Sequence, residues 1–571
     1  MKTTDYIVEL LIGKGITDVF GYPGGSAANL MASFDKYKDQ ITAHVCYHEQ
    51  AAAFSACGYA ATSGKPGVVY TIGGPGATNL MTGIGHAYYD SIPLICLTGN
   101  INTYESARGM RVRQRGFQES DIVSVVKPLT KYCVYIEKPK QIVECMKKAW
   151  FYATEGRPGP VLIDLPMDVS RAPFEADETV LFDDMREEKT EDKAGELSEK
   201  LADLLRKSNS PCIVLGNGVK KPQLRDKVRK VIDHLQIPYV TSMIAFDVLG
   251  EHCLRYGFLG AYGDRAANFI AAKSDLIISL GSRMDIRQVG LHRDKFAPDA
   301  RIVRVDIDEG ELEYRVHENE YDFQMQVEDA LNVMISMKID KDYSHWRVIC
   351  NQIRDELKDM DERLPNRLMK RISALIPDNA IITTDVGQNQ VWVAQSFALK
   401  NRQRVLFSGG MGAMGHALPA AIGAHYGSGG LTVCICGDGG MQMNIQEMQF
   451  LARERIPVKV IVFNNQSLGM IRHFQEMYFE GNYYQTKPEG GYSAPDFTRI
   501  AEAYGIQSTV VESTEDIGRC KSLLSSQHPA LIEVRVSENT YVFPKLEFGK
   551  PNQDQEPLMN RELYNRLMKL H

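Results

Sequence analysis

The sequence predicts an α/β protein of three doubly wound domains, each built around a parallel sheet. Three observations carry that expectation. The chain has 571 residues, too many for one hydrophobic core, since single cores stop growing near roughly 250–300 residues. Its composition, 44% hydrophobic and 24% charged, is that of an ordinary globular chain. One rhythm recurs in three separate stretches: a short β-branched run, a glycine-rich turn, then a helical pattern. Strands buried on both faces and alternating with helices belong to parallel sheets, which bind ligands at the carboxyl ends of their strands.

The elements follow in order. The amino terminus, MKTTDYIVELLIGKG, carries Asp5 and Glu9 inside its apolar stretch and reads as an amphipathic helix rather than an export signal. Gly67–Ile72 leads into the turn Gly73–Asn79 and a helix. In the middle, Cys212–Leu215 leads to Gly216-Asn217-Gly218, and Leu276–Leu280 leads to Gly281. In the last stretch Leu431–Cys436 leads to Gly437-Asp438-Gly439-Gly440, with a helix expected from about Met443. The domains expected are 1–168, 196–337 and 366–540. Between them lie charged linkers at 169–195, which holds Asp183, Asp184, Glu187, Glu188, Glu191 and Asp192, and at 338–365, a charged helical segment. A polar tail is expected over 541–571.

Composition also excludes classes. A net charge of −7 argues against a general nucleic-acid binder. No apolar run approaches the roughly 20 residues of a membrane span. The eleven cysteines are scattered in neither a disulfide nor a zinc pattern, so a reducing cytoplasm is the expected setting.

The segment richest in chemistry is Gly437–Gly440, followed about 25 residues later by Asn464-Asn465. Its glycines let backbone N–H groups approach a phosphate. Asp438 supplies one hard anionic oxygen and Asn465 a neutral one, an oxygen set suited to Mg²⁺ shared with a diphosphate. Alone, Asp-Gly is common turn chemistry; the Asn-Asn pair, with a strand before each element, makes it more specific.

Here the sequence resembles the thiamine diphosphate (ThDP) enzymes, and the acetohydroxyacid (acetolactate) synthases in particular. The resemblance runs from Phe20-Gly21-Tyr22-Pro23-Gly24-Gly25 to about Val536. It includes GGPGATN (73–79), FQE (117–119), GRPGPVLIDLP (156–166), SGGMGAMGHALPAAIGA (408–424) and NNQSLGM (464–470). It implies pyrimidine-binding, central flavin-type and diphosphate-binding domains, in that order. It also implies that Asp438, Asn465 and the Ser467 carbonyl hold Mg²⁺. The diphosphate would lie against Gly439, Gly440 and the turn Val386-Gly387-Gln388-Asn389. Gly412, Met414, Gly469 and Met470 would line the rest of the cofactor, with Met414 beneath its bend. A methionine in such a turn is otherwise more often simple core.

Glu49, in Tyr47-His48-Glu49-Gln50, is by itself more often an exposed first-turn acid. The resemblance makes it the carboxyl that exchanges a proton with the cofactor's aminopyrimidine ring and so activates the thiazolium carbon. The implied reaction removes CO₂ from a 2-ketoacid, pyruvate, and passes the resulting hydroxyethyl carbanion to a carbonyl acceptor. Gln118, Lys131 and Arg287 join Glu49 as the implied catalytic set, and Gly25, Phe117 and Phe474 form the substrate pocket. A lone arginine after a strand is usually a surface ion pair; Arg287 matches the family position that holds a carboxylate. Gly216-Asn217-Gly218, Tyr256–Gly263, Arg287 and Asp306-Ile307-Asp308 imply FAD. Because Glu49 and Asp438 lie in different domains that meet across a subunit interface in this family, a homodimer or homotetramer is implied, with no nucleic-acid or membrane partner. Other readings are a simple 2-ketoacid decarboxylase and a catalytically silent scaffold, against which the joint presence of Glu49, Asp438 and Asn465 speaks.

The chain departs from the family in several places. Asn389 stands where histidine is usual, Phe474 where tryptophan is, and Ile286 where an aspartate precedes the substrate arginine. The stretch between Gly99 and Phe117 is about six residues longer than usual and carries Arg108, Arg111, Arg113 and Arg115. These arginines read either as a solvated loop or inter-subunit ion pairs, or as an anion clamp. The segment Tyr541–Pro551 resembles ThDP enzymes of lipopolysaccharide and nucleotide-sugar pathways. The acceptor is therefore expected to be either a 2-ketoacid, giving acetolactate, or a ketosugar nucleotide or other phosphorylated carbonyl.

Overall fold

The β-branched runs form the strands expected of them. The computed structural model describes residues 1–175, 193–400 and 402–570, so the acidic residues 183–192 of the first linker lie outside the described residues. Three six-stranded sheets are present, and every strand pair in them is parallel. The first comprises β1 (Asp18–Gly21), β2 (Thr42–Val45), β3 (Gly67–Ile72), β4 (Leu94–Asn100), β5 (Tyr132–Tyr135) and β6 (Pro160–Pro166). The second comprises β7 (Pro211–Leu215), β8 (Tyr239–Thr241), β9 (Arg255–Phe258), β10 (Leu276–Leu280), β11 (Arg301–Asp306) and β12 (Glu320–Gln324). The third comprises β13 (Ile381–Thr384), β14 (Arg404–Phe407), β15 (Thr432–Gly437), β16 (Val458–Asn464), β17 (Gln507–Val511) and β18 (Ala530–Arg535).

Strand order decides where a ligand can sit. The first sheet runs β2-β1-β3-β4-β6-β5 and the third runs β14-β13-β15-β16-β18-β17, the same order twice. In both, winding reverses between the first and third strands in sequence, which opens a crevice beyond their carboxyl ends. In the second sheet, β12-β11-β10-β7-β8-β9, the reversal falls between β7 and β10.

The first and third domains dock through two helices of small residues, Glu49–Ser63 and Ala417–Ser428. A Cβ at Gly58 would overlap the Ala420 backbone, and one at Gly423 would overlap Ser55. Only glycine permits this approach, which the Ser55 hydroxyl completes by donating to the Pro419 carbonyl at 2.9 Å. Their apolar residues fuse into one core that spans both domains.

Three expectations are corrected. The helix after the glycine motif spans Asp438–Met443, so it begins at the motif rather than near Met443. The segment 338–365 is helical as expected but is more than a linker: its helix Ser344–Leu357 buries Trp346, Ile349, Cys350 and Ile353 in the middle core. Their i, i+3, i+4, i+7 spacing is that of a packed helix face. The tail is not merely polar either. Its helix Arg561–Met568 buries Leu567 in the same core, with Met559 just before it, each contributing roughly 1.5–3 kcal/mol of apolar burial. Arg265 fastens the tail by donating to the Gln555 and Pro557 carbonyls at 3.0 and 2.7 Å. Among the described residues all eleven cysteines are unpaired, and no helix is long and apolar enough to cross a membrane.

Candidate active site

The third domain brings its expected residues together at the winding reversal. Asp438 follows β15, and the turn 385–389 follows β13. The backbone N–H of Ser467 donates to Asp438 Oδ2 and Asn465 Oδ1, each at 3.2 Å. Asn465 Nδ2 donates to Gln388 Oε1 at 2.9 Å, and Gln388 Nε2 to the Thr540 carbonyl at 2.8 Å. Burial pushes the Asp438 carboxyl up to about 6, against the opposing N–H groups of Gly439 and Ser467. A buried carboxylate beside a neutral amide oxygen, with no cationic side chain bonded to it among the described residues, is a donor set short of positive charge, which fits a hard divalent cation. Among the described residues no cluster of three or more His, Cys, Asp or Glu could hold a metal, so such an ion would depend on these oxygens and on phosphate.

Asp385, which the sequence reading passed over, organises this edge. Its carboxylate accepts from Val386 N at 2.8 Å, Gly415 N at 3.0 Å and Ala417 N at 3.0 Å. It thus ties the turn 386–389 to the loop carrying Gly412 and Met414. A Cβ at Gly440 would come within 2.6 Å of Asp385 Oδ1, and one at Gly439 within 3.1 Å of the Met414 methyl and 3.3 Å of the Tyr492 hydroxyl. The glycines are therefore demanded by close neighbours, while Met414 and Tyr492 overlie the motif. Tyr492 gave no sequence signal, lying in a stretch without periodicity; Asp385, a carboxylate ending a buried strand at the reversal, did.

The first domain assembles the other half. Glu49 opens its helix and is 8% exposed. Asn79 Nδ2 donates to Glu49 Oε2 at 2.9 Å, while Oε1 lies 3.1 Å from where a Cβ on Gly76 would stand. The Ser26 hydroxyl donates to the Gly99 carbonyl at 3.1 Å and accepts from Gly73 N at 3.3 Å, which gathers the Gly25 turn, the Gly73 turn and the end of β4. Gln118, at φ +63°, rests its carbonyl on Gly74. No hydrogen bond among the described residues joins Glu49 to the Asp438 cluster.

Other expected residues stand apart. Lys131 precedes β5 at the amino edge of the sheet, opposite Glu49, and donates to the Glu155 and Arg157 carbonyls at 2.8 and 2.7 Å. Asn389 directs its amide nitrogen at the Asp385 and Ile435 carbonyls, at 2.7 and 3.2 Å; its donor thus serves the protein backbone. Phe117 is 84% exposed. Phe474 instead joins an aromatic group with Tyr478 at 4.9 Å and Phe548 of the tail at 6.2 Å between ring centres. Met470, on the same helix as Phe474, packs against the third core.

A cavity of about 520 Å³ lies where the three domains meet, lined by Gly218, Ser282, Arg283, Arg287 and Asp306 of the middle domain, by Arg157 of the first and by Arg404 of the third, among others. The turns after β7 and β10 touch, with Gly218 N donating to the Gly281 carbonyl at 2.9 Å, so the cavity opens at that sheet's own reversal. Burial raises the Asp306 carboxyl above its ordinary range.

Comparison with known proteins agrees with this geometry. Residues 1–125 match the thiamine pyrophosphate enzyme N-terminal TPP binding domain, 198–334 the central domain, and 385–534 the C-terminal TPP binding domain. The acetolactate synthase large subunit of Lactococcus lactis is 34% identical, over 95% of this chain and 94% of its own length. The isozyme 1 large subunit of Escherichia coli is 34% identical over 96% of each. The probable acetolactate synthase large subunit of Methanocaldococcus jannaschii is 35% identical over 94% of this chain and 92% of its own. Domain order, strand order and glycine motif thus coincide with identity along nearly the whole chain, and the protein belongs to the ThDP-dependent acetolactate synthase family.

Proposed function

We propose that the chain is a Mg²⁺- and ThDP-dependent carboligase that decarboxylates pyruvate and joins the two-carbon remainder to a second carbonyl compound. The observation that carries this reading is the meeting of Asp438, Asn465 and Ser467 at one reversal, with Glu49 buried at the matching edge of the first domain. When bound, ThDP supplies the electron sink for the pair left behind by CO₂. Asp438 Oδ2, Asn465 Oδ1 and the Ser467 carbonyl would hold the cation; Gly439, Gly440 and residues 386–388 would face the diphosphate. Asn79 orients Glu49, leaving Oε1 to hold or release a proton. Glu49 of one chain and Asp438 of a second chain make one centre, in a homodimer or in a homotetramer built as a dimer of dimers. The lack of a hydrogen bond between the two clusters within one chain supports this. The unpaired cysteines support a reducing cytoplasm. Glu49→Gln is expected to lower pyruvate turnover about 10²–10⁴-fold while calorimetry finds ThDP binding nearly unchanged; an unaltered rate would contradict the assignment.

FAD suits the cavity where the three domains meet: backbone turns for a diphosphate, Ser282 and Arg283 beside them, and the Asp306 carboxylate at the end of β11 for a ribose. Release of flavin on denaturation of the purified protein tests this, and a fully active protein without flavin would contradict it.

A second reading concerns the acceptor. Glu119 closes the arginine loop, accepting from Arg115 N at 2.9 Å, Gly116 N at 3.2 Å and the Ser106 hydroxyl at 2.7 Å. The loop's root is Gln118, seated on the Gly73–Asn79 turn whose Asn79 donates to Glu49. Arg111 and Arg113 are exposed at its tip, which favours a phosphorylated carbonyl acceptor held bidentately. Arg111→Ala with Arg113→Ala is expected to raise KM about tenfold or more for a triose phosphate acceptor, leaving KM for pyruvate alone. Equal use of phosphorylated and unphosphorylated acceptors by the unaltered enzyme would contradict this reading.

A further inference from the structure

The segment following the glycine motif grips the first domain of its own chain. Helix Asp438–Met443 ends at Asn444, and Asn444 Nδ2 donates to the Gly415 carbonyl at 2.8 Å and to Gln50 Oε1 at 3.2 Å. One side chain thereby touches the loop that carries Met414 and the residue after Glu49. Glu447, fully buried, accepts from Tyr47 N at 2.8 Å. Arg453 adds bonds to the Val45 carbonyl at 2.9 Å and the Tyr47 hydroxyl at 3.1 Å. The contacts bracket Glu49: Val45 and Tyr47 before it, Gln50 after it.

Glu447 is an unusual group to spend on structure. Burial pushes its carboxyl up to about 7, against the N–H groups of Tyr47 and His48 and the Arg453 charge. Its second oxygen has no hydrogen-bond partner among the described residues. Burying a carboxyl with one oxygen unmatched is unfavourable unless the contact it makes is needed. That contact fixes the backbone two residues before Glu49, where the helix begins. Asp438 and Glu447 are also joined by a single short helix and turn, so a shift at the metal ligand reaches Tyr47 through a few rigid bonds.

We infer that Asn444 and Glu447 are positioning residues: they hold the Glu49 end of the first domain against the diphosphate half of the same chain. This rests on the reading in which Glu49 serves one centre and Asp438 of the same chain serves another. The strut then links two centres, so that cofactor bound by Asp438 of a chain sets the placement of the carboxyl that the same chain lends to the other centre.

The test uses the full-length enzyme saturated with Mg²⁺ and ThDP, following exchange of the cofactor's C2 hydrogen for deuterium by quenched NMR. Glu447→Ala is expected to slow exchange about tenfold or more, with the ThDP dissociation constant changed less than about threefold. Glu447→Gln, which keeps an oxygen for Tyr47 N–H, is expected to recover most of the rate. Merely structural damage would weaken cofactor binding and exchange together; that outcome, or unchanged exchange in Glu447→Ala, overturns the inference. Mixed dimers of Glu49→Gln and Asp438→Ala chains retain one intact centre. Adding Glu447→Ala to the Asp438→Ala chain, which supplies the working Glu49, is expected to slow that centre about tenfold; on the other chain it should cost no more than about twofold. Equal effects would overturn the strut. Mixed dimers with no activity would instead overturn the shared-centre reading, and the exchange rates of Glu447→Ala would still decide the positioning role.

Discussion

Asp438 and Asn465 aim their side-chain oxygens at one backbone N–H, that of Ser467, each at 3.2 Å. Two strands and their following turns deliver these oxygens, so their spacing is set by the register of β15 against β16. A cation placed among them would relieve the raised Asp438 carboxyl, which burial alone leaves without a counter-charge.

Removing either oxygen should therefore act first on the metal. Asp438→Ala and Asn465→Ala are each expected to weaken Mg²⁺-dependent ThDP binding about a hundredfold, measured by calorimetry at fixed ThDP. The folded protein should lose no more than about 1–3 kcal/mol of stability without ligands, the cost of the buried hydrogen bonds to Ser467 and Gln388, because both substitutions leave strand pairing intact.

Gly440→Ala places a methyl group within 2.6 Å of Asp385 Oδ1. Overpacking of this kind costs roughly 1–3 kcal/mol, and displacement of Asp385 would loosen Gly415 and Ala417. A lowered Tm together with weaker ThDP binding is the expected outcome. Gly430→Ala, near nothing but the Ser428 hydroxyl, provides the comparison.

Burial raises the Asp385 carboxyl from 3.8 to about 6. Between those values the folded protein keeps a proton that the unfolded chain has released. The resulting stability is complete below the unfolded value and is lost as pH rises through about 6. Asp385→Asn does not titrate, so the cofactor-free variant should show a flatter loss of stability across that window than the parent. It should also be about 1–3 kcal/mol less stable, since an amide nitrogen would face backbone N–H groups. Urea titrations at a series of pH values measure both effects. Asp164 and Asp264, raised in the same direction, are common to both proteins and cancel in the difference.

Much of this was legible in the chain. Apolar runs ending in glycine turns located β3, β7, β10 and β15, and the motif at Gly437–Gly440 with Asn464-Asn465 located the edge where Asp438, Asn465 and Ser467 meet. What escaped were residues whose role depends on distant chain segments. Glu447 meets Tyr47 across 400 positions, and nothing in its neighbourhood announces that. Charged residues around Ser344–Leu357 and Arg561–Met568 masked the apolar faces that bury them in the middle core. That Lys131 lies at the amino edge of its sheet was not legible either, because resemblance gives position in a motif, whereas the strand direction decides which edge that position occupies.

In the proposed assembly each centre draws Glu49 and Asp438 from different chains. Glu49→Gln and Asp438→Ala proteins, each inactive alone, should be dissociated, mixed and reassembled, and their pyruvate consumption followed. Random pairing puts one intact centre in half of the dimers, so activity should return to at most about a quarter of the parent value, and to less where the Asp438→Ala half no longer steadies the Glu49 it lends. A mixture that stays inactive although mixed dimers have formed would contradict the claim, since centres built within one chain cannot complement.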